Sequence, residues 1–128
     1  MTKGGAFMGE FTVSKVNQIV FMAKDTERSK KFYGEVLGLT KREEYGGMVF
    51  FQAGETTIML HPEEAAAGNK NGIGIEFSVD NVDALVEKVG QSNLGKVVQE
   101  PVVREWGVRE AIVEDPDGYE IWFTQQLK

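Results

Sequence analysis

Side chains able to bind or to catalyse recur at alternate positions in four stretches: Gln18, Val20 and Met22; Thr57, Met59 and His61; Glu76 and Ser78; Glu120, Trp122 and Thr124. A spacing of two is the period of a β-strand, so each stretch aims its set at one face of a sheet. A face meant only for solvent does not usually carry two methionines and a tryptophan. One meant only for core does not carry two glutamates, a histidine and a glutamine. The mixture suits the wall of a ligand cavity, with a dimer interface as the alternative.

Other chemistries find no support. Cysteine is absent, which removes thiol nucleophiles, thiolate metal sites and disulfides, and fits a reducing, cytoplasmic setting. With His61 as the single histidine, a hydrolytic triad would need a serine and a carboxylate to meet it, and no spacing brings them there. No nucleophile elbow or His-Glu-x-x-His occurs. Gly72-Ile73-Gly74 opens a strand and has no following lysine, so it is not a phosphate loop. Glu63-Glu64 reads as a solvated linker. A net charge of -6 disfavours nucleic acid, and Lys24, Arg28, Lys30 and Lys31 read as one solvated helix face. No apolar run approaches the ~20 residues of a membrane helix.

The elements that must position these side chains follow from periodicity and turn chemistry. Val16 to Ala23 is a strand, and Asp25 caps a helix whose stripe is Phe32, Tyr33, Val36 and Leu37, closed by Gly38. Strands follow over Thr40 to Tyr45, Met48 to Ala53 and Thr56 to His61, with turns at Gly46-Gly47 and Gly54-Glu55. After a linker the pattern restarts. Gly72 to Val79 is a strand, and Asp80 or Asn81 caps a helix with the stripe Val82, Leu85, Val86 and Val89, ended by Gly90. The remaining strands are Lys96 to Val103, Val108 to Val113 and Gly118 to Gln125, with Asp115-Pro116-Asp117-Gly118 as a type I turn.

The chain therefore reads as an α+β domain in which one βαβββ unit is written twice. An offset of 56 pairs Asp25 with Asn81, Gln18 with Gly74 and Phe21 with Phe77. Residues 1–15 form a loose arm, residues 16–126 the domain, with module one at 16–61, a linker at 62–71 and module two at 72–126. Ile19, Phe21, Ile58, Leu60, Ile75, Phe77, Val79, Ile121 and Phe123 supply the floor under the helices, leaving the mixed rows on the opposite face.

Ser29 to Leu39, Ser78 to Asn81 and Val113 to Ile121 (Val-Glu-Asp-Pro-Asp-Gly-Tyr-Glu-Ile) resemble the vicinal oxygen chelate superfamily of glyoxalases, extradiol dioxygenases and bleomycin-resistance proteins. The resemblance implies an incomplete curved barrel around one site, and homodimers, sometimes with modules exchanged between chains. It also implies four metal ligands on the first and last strands of each module. Those places fall on Gln18, Gly74, Trp122 and, on the fourth strand, Met59 or a neighbour. Glycine, indole and thioether are poor donors for an oxygen-seeking divalent ion, so the expectation is no cofactor. The alternative is one divalent metal on Gln18, His61, Glu76 and Glu120, which share the face but sit two residues from the family positions. A step of two along a strand is ~6.8 Å, against metal bonds near 2 Å.

Trp106-Gly107 resembles bleomycin-resistance proteins, whose aromatic side chains in this region stack on a planar cationic drug. The expected ligand-binding set is Gln18, Met22, Phe50, Met59, His61, Glu76, Trp106, Glu120 and Trp122, with no catalytic residue. The implied function is metal-independent binding of an aromatic or cationic small molecule; the alternative is a metal-dependent lyase or isomerase of the glyoxalase type.

Overall fold

A computed structural model describes residues 18–69 and 74–127. The expected arm at 1–15, Val16 and Asn17 of the first strand, and Gly72 and Ile73 of the fifth lie outside the described residues. Module one runs β1 (Gln18–Ala23), α1 (Thr26–Lys31), a π-helical turn (Phe32–Val36), β2 (Thr40–Tyr45), β3 (Met48–Ala53) and β4 (Thr56–Pro62). Module two runs β5 (Ile75–Ser78), α2 (Val82–Ser92), β6 (Lys96–Arg104), β7 (Val108–Glu114) and β8 (Glu120–Gln126). The sheets are ordered β1-β4-β3-β2 and β5-β8-β7-β6, and in each the pair that begins the order is parallel. The fold is an open α+β pair of βαβββ modules, the two units expected from the repeat and the glyoxalase-like plan that the resemblance implied.

Registers make the duplication quantitative. Ile19 pairs with Ile58 in one module and Ile75 with Ile121 in the other. Met59 is therefore the counterpart of Trp122, which removes the latitude left on the fourth strand. Both second strands carry a register shift at the same place, between Lys41 and Glu43 and between Val97 and Gln99. A bulge re-aims the strand beyond it, so repeating it repeats the sheet's curvature. β6 adds a second shift between Gln99 and Val102, around Pro101, which β2 lacks.

Two local departures from the expected helices have physical causes. The helix after β1 widens: Leu37 N–H donates to Phe32 O (2.9 Å), five residues back, before Gly38 closes the turn at φ 80°. The wider turn accompanies complete burial of the adjacent rings of Phe32 and Tyr33. In module two Gly90 does not end α2. The helix continues to Ser92 and closes on Asn93 in the left-handed region (φ 61°), one of the few non-glycine residues that tolerate it. Asn81, not Asp80, is the cap, its Oδ1 accepting from Ala84 N–H at 3.1 Å.

The inner faces of both sheets share one core. Phe21, Tyr33, Phe51, Ile58 and Leu60 of module one join Val82, Val86, Val113, Ile121 and Phe123 of module two. The Asp115–Tyr119 turn is the joint between them. Asp115 Oδ1 accepts from the N–H groups of Asp117 (2.8 Å) and Tyr119 (2.9 Å), which stiffens the turn. Its Oδ2 accepts from the Tyr33 hydroxyl at 2.7 Å. Asp117 Oδ1 accepts from Lys24 N–H (2.9 Å) and the Arg28 guanidinium (3.1 Å), and Oδ2 from the Ser29 hydroxyl (3.0 Å). The Tyr119 hydroxyl accepts from Met22 N–H at 2.9 Å. The linker packs tightly here as well: a Cβ on Gly68 would lie 2.3 Å from Gly118 O, so only glycine fits.

Candidate functional site

With the floor residues turned to the core, the mixed rows face outward. In module two, hydrogen-bonded neighbours align them into rows across the sheet. The first reads Glu76, Trp122, Ile112, Gln99; the second Ser78, Thr124, Glu110, Val102; the third Gln126, Val108, Arg104. All of them but Val102, together with Val79, Asp80 and Trp106, line an open cavity of about 1140 Å³. Trp122 lies in its floor, 42% exposed. Trp106 stands at the rim, 67% exposed, because it occupies the β6–β7 hairpin where Gly107 takes φ 90°. Glu76 is held by the Thr124 hydroxyl, which donates to Oε2 at 2.6 Å. Arg104 donates from Nε to Glu110 Oε1 (3.3 Å) and from a terminal nitrogen to Gln99 Oε1 (3.3 Å), with its guanidinium carbon 6.0 Å from the Trp106 ring centre.

The corresponding face of module one holds a cavity of about 330 Å³, lined by Gln18, Arg42, Glu43, Phe50 and Thr57. Phe50 stacks on Tyr45 with centroids 6.0 Å apart. Met59, the counterpart of Trp122, is only 9% exposed. Met22 and His61 pair across β1 and β4 outside both cavities. His61 Nδ1 lies 2.9 Å from Pro62 O.

The nine expected ligand residues are thus distributed rather than gathered. Glu76, Trp106 and Trp122 share the large cavity, and Gln18 and Phe50 share the small one. Glu120 lines neither; its main chain is clamped by Asn69, whose Oδ1 accepts from Glu120 N–H at 2.8 Å. Gln99, Arg104, Glu110 and Ile112 went unnamed by sequence reasoning. Glu110 and Ile112 alternate along β7 and were legible in principle. Arg104 was not, because the second register shift in β6 breaks the alternation that would have placed it beside Gln99.

The donor set can be tested against the family's metal. The four positions present an amide, a thioether, no side chain and an indole. Among the described residues no three of His, Asp and Glu converge where an ion could sit. The alternative set is divided too, Gln18 lying in one cavity and Glu76 in the other. Neither set fits an oxygen-seeking divalent ion.

Residues 15–123 match the model of the glyoxalase/bleomycin resistance protein/dioxygenase superfamily. The chain belongs to that superfamily. Within this vicinal oxygen chelate group it is 28% identical over 130 residues to glyoxalase 1 of Caenorhabditis elegans, covering 90% of this chain and 46% of that protein. It therefore spans about half the length of that relative. A hypothetical protein from S. aureus superposes with a TM-score of 0.75 at 28% identity, over 89% of this chain and 95% of its own. A glyoxalase-related enzyme from Fulvimarina pelagi superposes with a TM-score of 0.76 at 17% identity, over 89% of each chain, a likeness of fold alone. Among the described residues no helix is long and apolar enough to cross a membrane.

Proposed function

We propose that this superfamily member is a metal-independent binding protein that holds an aromatic or cationic small molecule in the cup of module two. The observation that carries the reading is Trp122. It occupies a strand position where the family's enzymes keep a ligand, and leaves a large ring half-exposed in the floor of a cavity of about 1140 Å³. An exposed ring in a cavity that Glu76 and Asp80 also line offers a cation both a π-face and negative potential. A cytoplasmic setting suits a chain with no cysteine. A homodimer also belongs to this reading, since Val20 and Met22, each 38% exposed, put apolar surface on the outer face of module one. Titration of the protein with aromatic cations, followed by tryptophan emission, should show saturable quenching. No response across a chemically varied panel, with an unchanged melting temperature, would count against it.

A second reading, a metal-dependent lyase of the glyoxalase type, draws on the C. elegans relative's name. Elemental analysis of protein purified without chelator separates the two. One equivalent of a divalent metal, lost in Glu76→Gln or Glu120→Gln, would favour the lyase.

A further inference from the structure

We infer that the module-two cup selects an elongated aromatic molecule charged oppositely at its two ends, the anionic end on Arg104 and the cationic end on Glu76. The inference rests on the reading of this cup as a ligand site and adds the order of charges within it. Glu76 and Gln99 stand at opposite ends of one row, β5 and β6 being the two edges of the sheet. Three strand spacings separate those edges by about 14 Å.

Arg104 belongs to the third row but folds back along β6 to reach Glu110 of the second and Gln99 of the first. Its guanidinium therefore lies along the β6 edge of the cup. Those bonds use two N–H groups, and guanidinium carries five, so donors remain on a side chain that is 32% exposed. On the opposite edge Glu76 receives a hydrogen bond from Thr124 on Oε2, and its other oxygen meets no donor among the described residues. Between them Trp122 and Ile112 give a floor without charge.

A cup that was acidic throughout would accept a cation anywhere. Here a cation at the β6 edge meets Arg104, and an anion at the β5 edge meets Glu76 and Asp80. Only one orientation of a bipolar ligand satisfies both edges. Glu110 only partly offsets Arg104, because it accepts a single 3.3 Å bond from a guanidinium side chain that is 32% exposed.

Calorimetric titration of the full chain with four biphenyls tests this: 4′-(aminomethyl)biphenyl-4-carboxylate, 4-(aminomethyl)biphenyl, biphenyl-4-carboxylate and 4-methylbiphenyl. The bipolar probe should bind roughly ten-fold more tightly than either singly charged one. Arg104→Gln should bring the bipolar probe down to the level of 4-(aminomethyl)biphenyl. That second probe should bind the variant as well as before or better, since Glu110 is released. Arg104→Lys should keep part of the carboxylate's advantage, and melting curves check that both variants are folded. A carboxylate that adds nothing, or an Arg104→Gln variant that weakens all four probes alike, would overturn the inference and leave Arg104 as a hairpin brace. If none of the four binds the wild-type protein, the cup reading itself fails, and this inference with it.

Discussion

The two modules share a backbone plan and differ in what their outer faces carry. Module one places Gln18, Val20, Thr57 and Met59 where module two places Gly74, Glu76, Glu120 and Trp122. In module one the central side chain is a buried thioether beside a cavity of about 330 Å³; in module two it is an exposed indole in one of about 1140 Å³. The longer β6, with its extra register shift, widens the second cup and brings Arg104 into it. The lesson is that after duplication the inner faces stay alike, because one core must be filled, while the outer faces are free to diverge.

The largest expected effect comes from breaking the joint that holds the two halves together. Asp117→Ala removes the buried acceptor of Lys24 N–H, Ser29 and Arg28, and should cost about 3–5 kcal/mol in urea denaturation. Asp117→Asn should cost less, because it keeps an acceptor.

Tyr33→Phe strikes the same joint and adds a pH signature. Burial, reinforced by Asp115, pushes the Tyr33 hydroxyl well above its ordinary value. A folded-state pKa that is raised means the protonated tyrosine stabilises the fold up to its ordinary pKa of about 10, and that contribution is lost as pH rises beyond it. Above about pH 10 denaturation midpoints should therefore fall less steeply in Tyr33→Phe. At neutral pH the variant should be weaker by about 1–3 kcal/mol, since Asp115 Oδ2 loses its donor. Asp115 is also shifted up, chiefly by burial, so its stabilising contribution belongs to acid pH and wanes as the carboxyl ionises.

Exchanging the central side chains sharpens the contrast between faces. Met59→Trp forces a larger ring into a nearly closed site and should destabilise by about 1–3 kcal/mol. Trp122→Met should change stability by less than about 1 kcal/mol while removing most ligand-induced quenching. Titration and melting of both variants check the pair.

The smallest expected effect separates the two helices. Gly34 and Gly90 are counterparts at the offset of 56. A Cβ on Gly90 meets nothing, whereas one on Gly34 would lie 3.2 Å from the Phe51 ring. Gly90→Ala should stabilise by about 0.5–1 kcal/mol, and Gly34→Ala should gain nothing or lose slightly, as read by thermal melting.

Much of this molecule was legible beforehand for identifiable reasons. Strand alternation located the floor residues from Ile19 to Phe123, and paired glycines such as Gly46-Gly47, both at positive φ, fixed a hairpin. Asp25 and Asn81 announced their helices by their cap oxygens. What escaped has an equally definite cause. Gly90 looked like a terminator because glycine usually is one, yet the cap fell to Asn93. Nothing in the Asp115–Tyr119 segment announced a joint between modules, since its partners Tyr33 and Ser29 lie more than 80 positions away. Gln18 and Glu76 share a strand face by period but line different cavities, because period says nothing about which sheet a face belongs to.

The sequence by itself determined the repeat and the inward faces, because these follow from local period, and, through the family resemblance, the scarcity of metal donors at the family positions. Tertiary structure decided which outward side chains meet. Register, bulges and the docking of one half on the other are set by contacts distant in the chain. The charged edges of the second cup, Glu76 on one strand and Arg104 on another, exist only once the sheet between them has formed.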